Sequence, residues 1–360
     1  LATDTSAALH VTHDAIASLV WVTHPVGSAT GDDLPTQPVL RLLDQYGNLA
    51  TSDNSTVVTA TIATGTNGSL SQNTATANGG VVTFEWLNLV GTPGVAYTLN
   101  FTANAGGQNA ISSVASNAIT LTHAAPYRLV VLSQPVGGIS GEVLPVNKLP
   151  ILHVRDRFGN AATSDNSTQV TVAVCPLATC AGSGNGGSVG GTTTVTAVGG
   201  QVTFSNLSVA GTPGVNYQLR FTSTGLVQAT AAAIQLTKVA DLTLSYPDAN
   251  YSPNGIVVAV MNTDSPGAVT YSSTTANTIC LVNATTGAIT IKGVGDCVVT
   301  SVVAGTTYYL TKTTVATLHI LKSAQAAFTL TNASATNYMQ TLTVASAGGS
   351  GTGAVSYTVA

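Results

Sequence analysis

The sequence is poor in charged residues. Only 7% of its 360 residues are Asp, Glu, Lys or Arg, against about 25% in an average soluble domain. The formal net charge is -4, and no run of Lys or Arg offers a footprint for nucleic acid or for an anionic membrane surface. Nucleic acid is therefore not an expected partner.

Long hydrophobic runs are missing as well. No apolar stretch approaches the ~20 residues of a membrane-spanning helix, so no membrane span is expected in this segment. The first ten residues, LATDTSAALH, lack the basic and apolar regions of a signal peptide. Hydrophobic residues nevertheless reach 44%, which argues against disorder. We expect a folded excerpt of a longer protein.

What the sequence does contain is an internal repeat of domain size. The stretch DQYGNLATSDNST (44–56) returns as DRFGNAATSDNST (156–168), a shift of 112 residues. GTPGV (91–95) returns at 211–215, after an insertion, CPLATCAGSGNGG, that lengthens the second copy. Repetition at this period indicates tandem domains.

Alternation of apolar and polar residues predicts strands in both copies. In YTLNFT (97–102) and YQLRFT (217–222), the large apolar side chains share one face of a strand. Similar runs are separated by Gly, Pro, Asn and Asp clusters, and no apolar stripe at helical spacing lasts for three turns. About seven short strands in a unit of roughly 110 residues predict an all-β fold built of antiparallel β-sandwiches.

The repeated phrase predicts a capped loop at the end of a strand. The phase that turns Leu40 and Leu42 inward also turns Asp44 inward, and the following Gly-Asn permits a turn whose N–H groups face the carboxylate. Calcium is the alternative, although the spacing is not that of a regular calcium loop. The candidates for calcium binding or loop capping are Asp44, Asn48, Asp53, Asp156, Asn160 and Asp165.

Two longer stretches carry a family resemblance. QPVGGISGEVLPVNKLPILHVRDRFGN (134–160) and VTAVGGQVTFSNLSVAGTPGVNYQLRFTSTGL (195–226) resemble the bacterial immunoglobulin-like repeats of large surface proteins and invasin-type adhesins. The motif combines D-x-x-G-N, G-x-V-T-F and G-x-x-Y-x-L. Such repeats are stalk and adhesion modules, so the resemblance implies tandem immunoglobulin-like β-sandwiches arranged as a rod at the cell surface, with no cofactor.

The repeats and the resemblance divide the chain into five segments. Residues 1–14 are expected to be the last strand of a preceding repeat, and residues 323–360 the opening half of a fourth. Between them lie two similar repeats, 15–122 and 123–238, and a third repeat of a different subtype, 239–322. The joins are too short for free rotation, which predicts a stiff rod.

The four cysteines fall as two pairs, each inside one predicted repeat. Zinc would need all four to converge, and the spacing does not suit a zinc site. Local disulfides, Cys175 with Cys180 and Cys280 with Cys297, are therefore predicted, and they agree with an exported protein.

No motif predicts catalysis. GSGNGG (182–187) and GGSVG (186–190) match nucleotide-binding and nucleophile-elbow patterns, but the strand-like TTTVTAV follows instead of a helix. The carboxylates form no acid–base pair, so no enzyme and no catalytic residue are expected. Trp21 and Trp86 could make a sugar-binding platform, but burial in a core is the default expectation.

Glycosylation is a further expectation. Eight Asn residues begin N-x-S/T sequons, which are acceptors only where the host has the transferase. Asn54 and Asn166 lie in the repeated loop and are predicted to be the most exposed.

Three functions stay open at this point. The favoured one is an extracellular structural or adhesive segment of a bacterial surface protein, acting as a stalk or spacer. Its partners would be other copies or neighbouring repeats, together with an unknown host-cell, glycan or matrix ligand. The alternatives are a self-assembling filament, sheath or surface-layer subunit, and a carbohydrate-binding accessory region of a secreted enzyme.

Overall fold

The computed structural model describes most of the chain. The described residues are 12–104, 110–112, 115–176, 178–180, 186–332, 344–348 and 354–358. Most of the strand predicted within residues 1–14 lies outside them, as does much of the predicted half-repeat 323–360. The chain divides into two compact units, Leu1–Leu236 and Thr237–Ala360, and each is considered by itself below.

The fold is all-β and consists of tandem immunoglobulin-like β-sandwiches. The first unit holds both copies of the repeat, here called repeat 1 (15–122) and repeat 2 (123–236). Each copy has a hydrophobic core of its own. The helical structure described in the chain is a single 3-10 turn, Val146–Lys148, in repeat 2.

The described residues of repeat 1 form ten strands in antiparallel sheets. They are β1 Ile16–Thr23, β2 Val39–Asp44, β3 Val57–Thr64, β4 Ser69–Ser71, β5 Thr74–Thr76, β6 Val81–Thr83, β7 Asn88–Val90, β8 Ala96–Asn104, β9 Ile111–Ser112 and β10 Ile119–Thr120. One sheet has the order β1-β2-β6, and the facing sheet has the order β10-β8-β3-β5 with β9 beside β8. The short strands β4 and β7 pair with each other.

Repeat 2 follows the same plan. Its strands are β11 Pro126–Ser133, β12 Ile151–Asp156, β13 Gln169–Val174, β14 Ser188–Gly190, β15 Thr194–Thr196, β16 Gln201–Thr203, β17 Ser208–Ala210, β18 Asn216–Tyr217, β19 Leu219–Thr222, β20 Ala229–Thr230 and β21 Ile234–Gln235. The sheet β11-β12-β16 corresponds to β1-β2-β6, and the sheet β15-β13-β19-β20 to its partner. β14 pairs with β17, and β18 with β21.

The second unit is built differently. Its strands are β22 Lys238–Val239, β23 Leu242–Ser245, β24 Ala249–Asn250, β25 Ile256–Val257, β26 Val260–Thr263, β27 Val269–Ser273, β28 Cys280–Val282, β29 Ile289–Ile291, β30 Gly295–Val303, β31 Tyr309–Leu310, β32 Lys312–Leu321, β33 Phe328–Asn332 and β34 Val344–Gly348. The sheets β24-β32-β30-β27 and β25-β29-β28 enclose a third core. Because β22 pairs with β31, Lys238 belongs to this unit rather than to repeat 2.

The cores form as the alternation predicts. In β2, Leu40 and Leu42 are fully buried and Asp44 is 2% exposed, so the carboxylate does turn inward. Tyr97, the first residue of the YTLNFT pattern, is also fully buried, and its hydroxyl donates to the Thr66 carbonyl at 2.7 Å.

The tryptophans correct one expectation. Trp86 is 64% exposed, so its predicted burial is wrong. It lies in the turn after β6, where the buried Phe84 and Leu87 take the inward positions on either side. Trp21 is half-buried and its ring meets Phe101 edge-on, with centroids 5.1 Å apart.

Candidate functional site at the junction of repeats 1 and 2

The repeated phrase forms a closed turn around a buried carboxylate. In repeat 1, Asp44 Oδ1 accepts hydrogen bonds from the backbone N–H of Tyr46 at 2.9 Å and of Asn48 at 2.8 Å. The Asn48 side-chain amide donates to Oδ2 at 3.1 Å. Gly47 has φ of +83°, a conformation that favours glycine, so the Gly-Asn pair supplies both the turn and its donors.

Repeat 2 reproduces this turn bond for bond. Asp156 Oδ1 accepts from the N–H of Phe158 at 2.9 Å and of Asn160 at 2.8 Å, and Oδ2 accepts from the Asn160 amide at 3.0 Å. Gly159 takes φ of +92°. The local sequence therefore builds the same structure twice.

A fourth donor comes from the residues just before the first strand of each repeat, 12–15 before β1 and 122–125 before β11, here called the linker. The Ala124 backbone N–H donates to Asp156 Oδ2 at 3.1 Å, and the Asp14 N–H donates to Asp44 Oδ2 at 3.1 Å. We call this bond between the buried Asp and the preceding linker the linker clamp. It fixes the chain at the point where a repeat begins.

The donors keep both carboxyl groups ionised. Burial would raise the pKa of Asp44, but the N–H donors of Asn48, Asp14 and Tyr46 outweigh it and lower that pKa to about 2. The same balance lowers the pKa of Asp156 below its ordinary value. Charge-assisted hydrogen bonds of this kind are stronger than those between neutral groups.

The turn does not fit a calcium ion. A cation needs free oxygen lone pairs, whereas each oxygen of Asp44 and Asp156 faces two N–H donors, whose positive ends occupy the space that a cation would take. Among the described residues, no group of three or more His, Cys, Asp or Glu side chains is arranged to hold a metal. Loop capping describes the contacts of Asp44, Asn48, Asp156 and Asn160.

The second half of the repeated phrase forms another capped turn, just before the next strand. Asp53 Oδ1 accepts from the N–H of Ser55 and Thr56 at 2.9 and 3.0 Å, just before β3 begins, and Asp165 caps the equivalent turn before β13. The exposed Asn54 accepts from the Gly79 N–H at 2.9 Å. Asn166 does the same for Gly199 at 2.8 Å.

A histidine provides a second tie between linker and repeat. His123 Nε2 lies 2.6 Å from Ser164 Oγ and accepts from the Ser164 N–H at 3.2 Å, while Nδ1 lies 2.7 Å from the Ala124 carbonyl oxygen. In repeat 1, His13 Nε2 lies 2.6 Å from Ser52 Oγ. Thus the repeated serine, like the repeated aspartate, contacts the preceding linker.

Side chains of the turn also contact the preceding repeat. The Phe158 ring lies so close to Gly31 of repeat 1 that a Cβ added there would be 2.3 Å from the ring. Arg157 stacks over Phe158, with 4.8 Å between the guanidinium carbon and the ring centroid. It also reaches Asp32 of repeat 1 at 4.0 Å. A cavity of about 280 Å³ lies beside the Arg157–Asp32 contact and is lined by these two residues and by Ala124–Tyr127.

The same position in repeat 1 is open. Tyr46, the counterpart of Phe158, is 76% exposed, against 39% for Phe158. The aromatic residue of the motif is therefore less exposed in repeat 2, where it packs against Gly31 of repeat 1.

The second unit fixes its first strand with other residues. The Asp241 N–H donates to Asp264 Oδ1 at 2.8 Å, and Lys238 Nζ lies 2.8 Å from a carboxylate oxygen of both Asp241 and Asp264. Hydrogen bonds to these two carboxylates raise the pKa of Lys238, and the bond from Lys238 lowers the pKa of Asp264. A carboxylate again holds the backbone near the start of a domain.

Both cysteine pairs form disulfides. Cys175 and Cys180 follow β13, and the bridge spans 5 positions of sequence. Cys280 in β28 and Cys297 in β30 lie in the core of the second unit, with Cα atoms 6.0 Å apart.

Part of this junction was not predicted. The roles of His13 and His123, and the packing of Phe158 on Gly31, were missed. The histidine signal was present, because the Thr-His pair recurs at a shift of 110 residues. The Phe–Gly contact has no such signal, since it joins residues more than a hundred positions apart.

Comparisons with known proteins give a general likeness only. No protein-family model matches the sequence, and the search of curated proteins found no match. Solved structures that resemble the chain include the protocadherin GammaB4 extracellular domain, with 13% identity and a TM-score of 0.30 over 87% of this chain and 51% of that chain. The structure of Drosophila N-cadherin EC1-4 has 15% identity and a TM-score of 0.31 over 85% of this chain and 76% of that chain.

A fragment of intimin is also similar. A C-terminal 282-residue fragment of intimin, solved with the intimin-binding domain of its translocated receptor, has 13% identity and a TM-score of 0.27 over 58% of this chain and 67% of that chain. The chain spans about half the length of the protocadherin structure, 51%. At these scores the likeness carries no argument about ligands or partners.

Across the described residues, no helix has the length and apolar character needed to cross a bilayer.

Proposed function

We propose that the chain is an extracellular segment of a bacterial surface protein, in which tandem immunoglobulin-like modules act as a stalk or spacer for adhesion. The proposal includes no catalytic activity and no cofactor. It would place the protein at the cell surface, with other copies or neighbouring repeats as partners, together with a host-cell, glycan or matrix ligand.

The linker clamp is the observation that carries the proposal. Asp44 and Asp156 each use one carboxylate oxygen to hold the N–H of the preceding linker. The bond fixes the segment that leads into a repeat to that repeat. This suits a spacer, because a hydrogen-bonded linker restricts rotation at each joint.

Contacts across the junction support the same function. Phe158 covers Gly31, and Arg157 reaches Asp32. Because the Arg157–Asp32 pair is long and exposed, it is worth at most about 1 kcal/mol. We therefore assign most of the restriction to the clamp and to the aromatic contact.

The test is a distance distribution between the two repeats. Spin labels would be attached at Glu85→Cys in repeat 1 and Gln201→Cys in repeat 2, both exposed positions, and measured by pulsed electron spin resonance in the full chain. The native cysteines are in disulfides and do not react. We expect a narrow distribution in the otherwise native chain.

A matched pair of variants makes the test specific. Arg157→Ala with Phe158→Ala should broaden the distribution, whereas Gln45→Ala with Tyr46→Ala, the same positions in repeat 1, should leave it narrow. A native distribution as broad as that of the junction variant would refute the spacer function.

A second candidate is a self-assembling filament, sheath or surface-layer subunit. It is favoured by a row of apolar side chains in the second unit, where Ile256, Val258 and Val260 are 70%, 66% and 64% exposed. Sedimentation velocity over a range of concentrations tests it. Growth of polymers that Val258→Lys abolishes would support this function, and a monomer at every concentration would reject it.

A further inference from the structure

Charge is unevenly distributed between the two similar repeats. Repeat 1 contains five acidic residues and one Arg, whereas repeat 2 contains five basic residues and three acidic ones. Two of those three acids, Asp156 and Asp165, are buried in the turns described above. The surface of repeat 2 is therefore basic in a chain that is acidic as a whole.

Two of the basic residues face each other across neighbouring strands. Arg128 in β11 and Arg155 in β12 are direct partners in the antiparallel register. His153 lies two residues before Arg155 and so extends the outward face of the same sheet. Like charges placed directly opposite each other destabilise a sheet, so this arrangement is not explained by stability.

Among the described residues, no carboxylate forms an ion pair with either arginine. The ion pairs found among the described residues involve Arg157, Lys238 and His319, and neither Arg128 nor Arg155. Arg155 Nη1 donates to the Gly159 carbonyl at 2.7 Å, while Arg155 Nε and His153 Nδ1 are buried without a hydrogen-bond partner. Polar atoms of this kind ordinarily have one.

The fold does not require the pair. Repeat 1 has the same sheet with Ser18 at the position of Arg128 and Leu43 at the position of Arg155, and these two are also register partners. The arginines are thus an addition to repeat 2.

We propose that this face of repeat 2, defined by Arg128, Arg155 and His153, binds the carboxylate or sulfate groups of an acidic polysaccharide. A guanidinium group presents paired N–H donors that match such oxyanions in a bidentate manner. On this outward face Arg128 is exposed and Arg155 and His153 are half-buried, which suits a polymer lying along the sheet better than a small anion enclosed in a cavity.

A second copy of the chain is a weaker ligand. The carboxylates of Asp44 and Asp53 already accept hydrogen bonds from backbone N–H groups of their own turns. Asp14, Asp32, Asp33, Asp156, Asp165, Asp241, Asp264 and Asp296 also have hydrogen-bond or ion-pair partners, and the other described acids, Glu85, Glu142 and Asp248, are far apart in sequence. The described residues therefore offer the arginine pair no free acidic cluster.

The inference rests on the proposed adhesive role for the choice of a polysaccharide. Binding at the sheet face does not require a stiff joint between repeats, so either proposal can fail while the other stands.

The experiment is affinity chromatography of the full chain on immobilised alginate, which carries carboxylates, on dextran sulfate, and on neutral dextran. We expect salt-sensitive retention on one or both acidic polymers and none on neutral dextran.

The variants use residues that the fold already accepts. Arg128→Ser with Arg155→Leu copies repeat 1, and we expect it to weaken binding at least about tenfold, as the loss of one charge-assisted hydrogen bond implies. Lys312→Gln with Lys322→Gln removes the same charge from the exposed surface of the second unit and should bind like the native chain. If the double variant folds poorly, the exposed Arg128→Ser alone should still weaken binding.

Three results would overturn the inference. They are no retention of the native chain on either acidic polymer, equal loss of binding in the lysine control, and retention on immobilised duplex DNA as strong as on the acidic polysaccharides.

Discussion

At the residue scale, Asp44 and Asp156 show how one buried charge can serve two structures. Oδ1 of each closes the turn that follows its strand, and Oδ2 reaches the linker that precedes the repeat. Removing a buried acceptor leaves its donors unsatisfied, at about 1–3 kcal/mol for each N–H that stays buried. Removing an exposed ion-pair partner costs little.

That contrast gives a first prediction. Asp156→Ala should lower the free energy of unfolding of repeat 2 by more than about 1–3 kcal/mol, because several N–H donors lose one acceptor. Asp32→Ala, which removes a partner of Arg157 on the surface, should cost at most about 1 kcal/mol. Urea unfolding monitored in repeat 2 measures both. Equal effects of the two substitutions would contradict this assignment.

The depressed pKa values give a second prediction, on acid stability. The pKa of Asp44 falls from its ordinary 3.8 to about 2 on folding, and the pKa of Asp156 is lowered too. Since the folded state holds the ionised form, this stabilisation is complete above about pH 4 and is lost as the pH falls toward 2.

Urea unfolding at pH 7, 4 and 2.5 measures whether the free energy of unfolding falls as the pH is lowered. The native chain should lose stability between pH 4 and 2.5, and Asp44→Asn with Asp156→Asn should show a shallower loss over the same interval, although it starts from a lower stability at pH 7. An equally steep loss in the double variant would show that other groups control the acid response.

At the element scale, the contact between a turn of repeat 2 and a loop of repeat 1 offers a matched comparison. Gly31 and Gly141 occupy the same loop of the two repeats, with φ of +81° and +85°. A Cβ at Gly31 would strike Phe158, whereas a Cβ at Gly141 would meet no described atom within 4 Å.

We predict that the two alanine variants separate local strain from the junction. Both Gly31→Ala and Gly141→Ala should cost about 1–2 kcal/mol of repeat stability, because each forces a positive φ on a non-glycine residue. Only Gly31→Ala should also broaden the spin-label distance distribution between repeats 1 and 2. Equal broadening by both would show that Phe158 does not fix the junction.

The elements themselves followed closely from the sequence. Period-two alternation predicted β2, β8 and their copies, and the inward phase of Leu40 and Leu42 correctly turned Asp44 into the core. The burial of Trp86 was predicted wrongly, because the residue type favours burial whereas the position of Trp86 after β6 exposes it. The linker clamp was half predicted: the turn donors were expected, but the Ala124 N–H was not, since only the three-dimensional path brings a linker back to the loop.

At the scale of the whole molecule, stability is divided among separate cores. The two repeats and the second unit have distinct hydrophobic clusters. A covalent link within one core should therefore act on that core alone.

Reduction of the disulfides tests this division. Loss of Cys280–Cys297, which spans 17 positions, should lower the stability of the second unit by about 3 kcal/mol on the loop-entropy estimate. Loss of the 5-position bridge in repeat 2 should cost less, and repeat 1 should be unaffected. Thermal unfolding with and without reductant measures the transitions, and a downward shift of the repeat 1 transition would contradict separate cores.

The most direct test of the linker clamp is hydrogen exchange at the Ala124 amide, measured by nuclear magnetic resonance in the full chain. Since this N–H donates to the buried Asp156 carboxylate, we predict protection comparable to that of the amides of β12. Asp156→Asn should remove that protection while β12 in the variant remains protected. Exchange of Ala124 in the native chain at the rate of an unstructured peptide would contradict the clamp and, with it, the explanation of why the phrase is repeated.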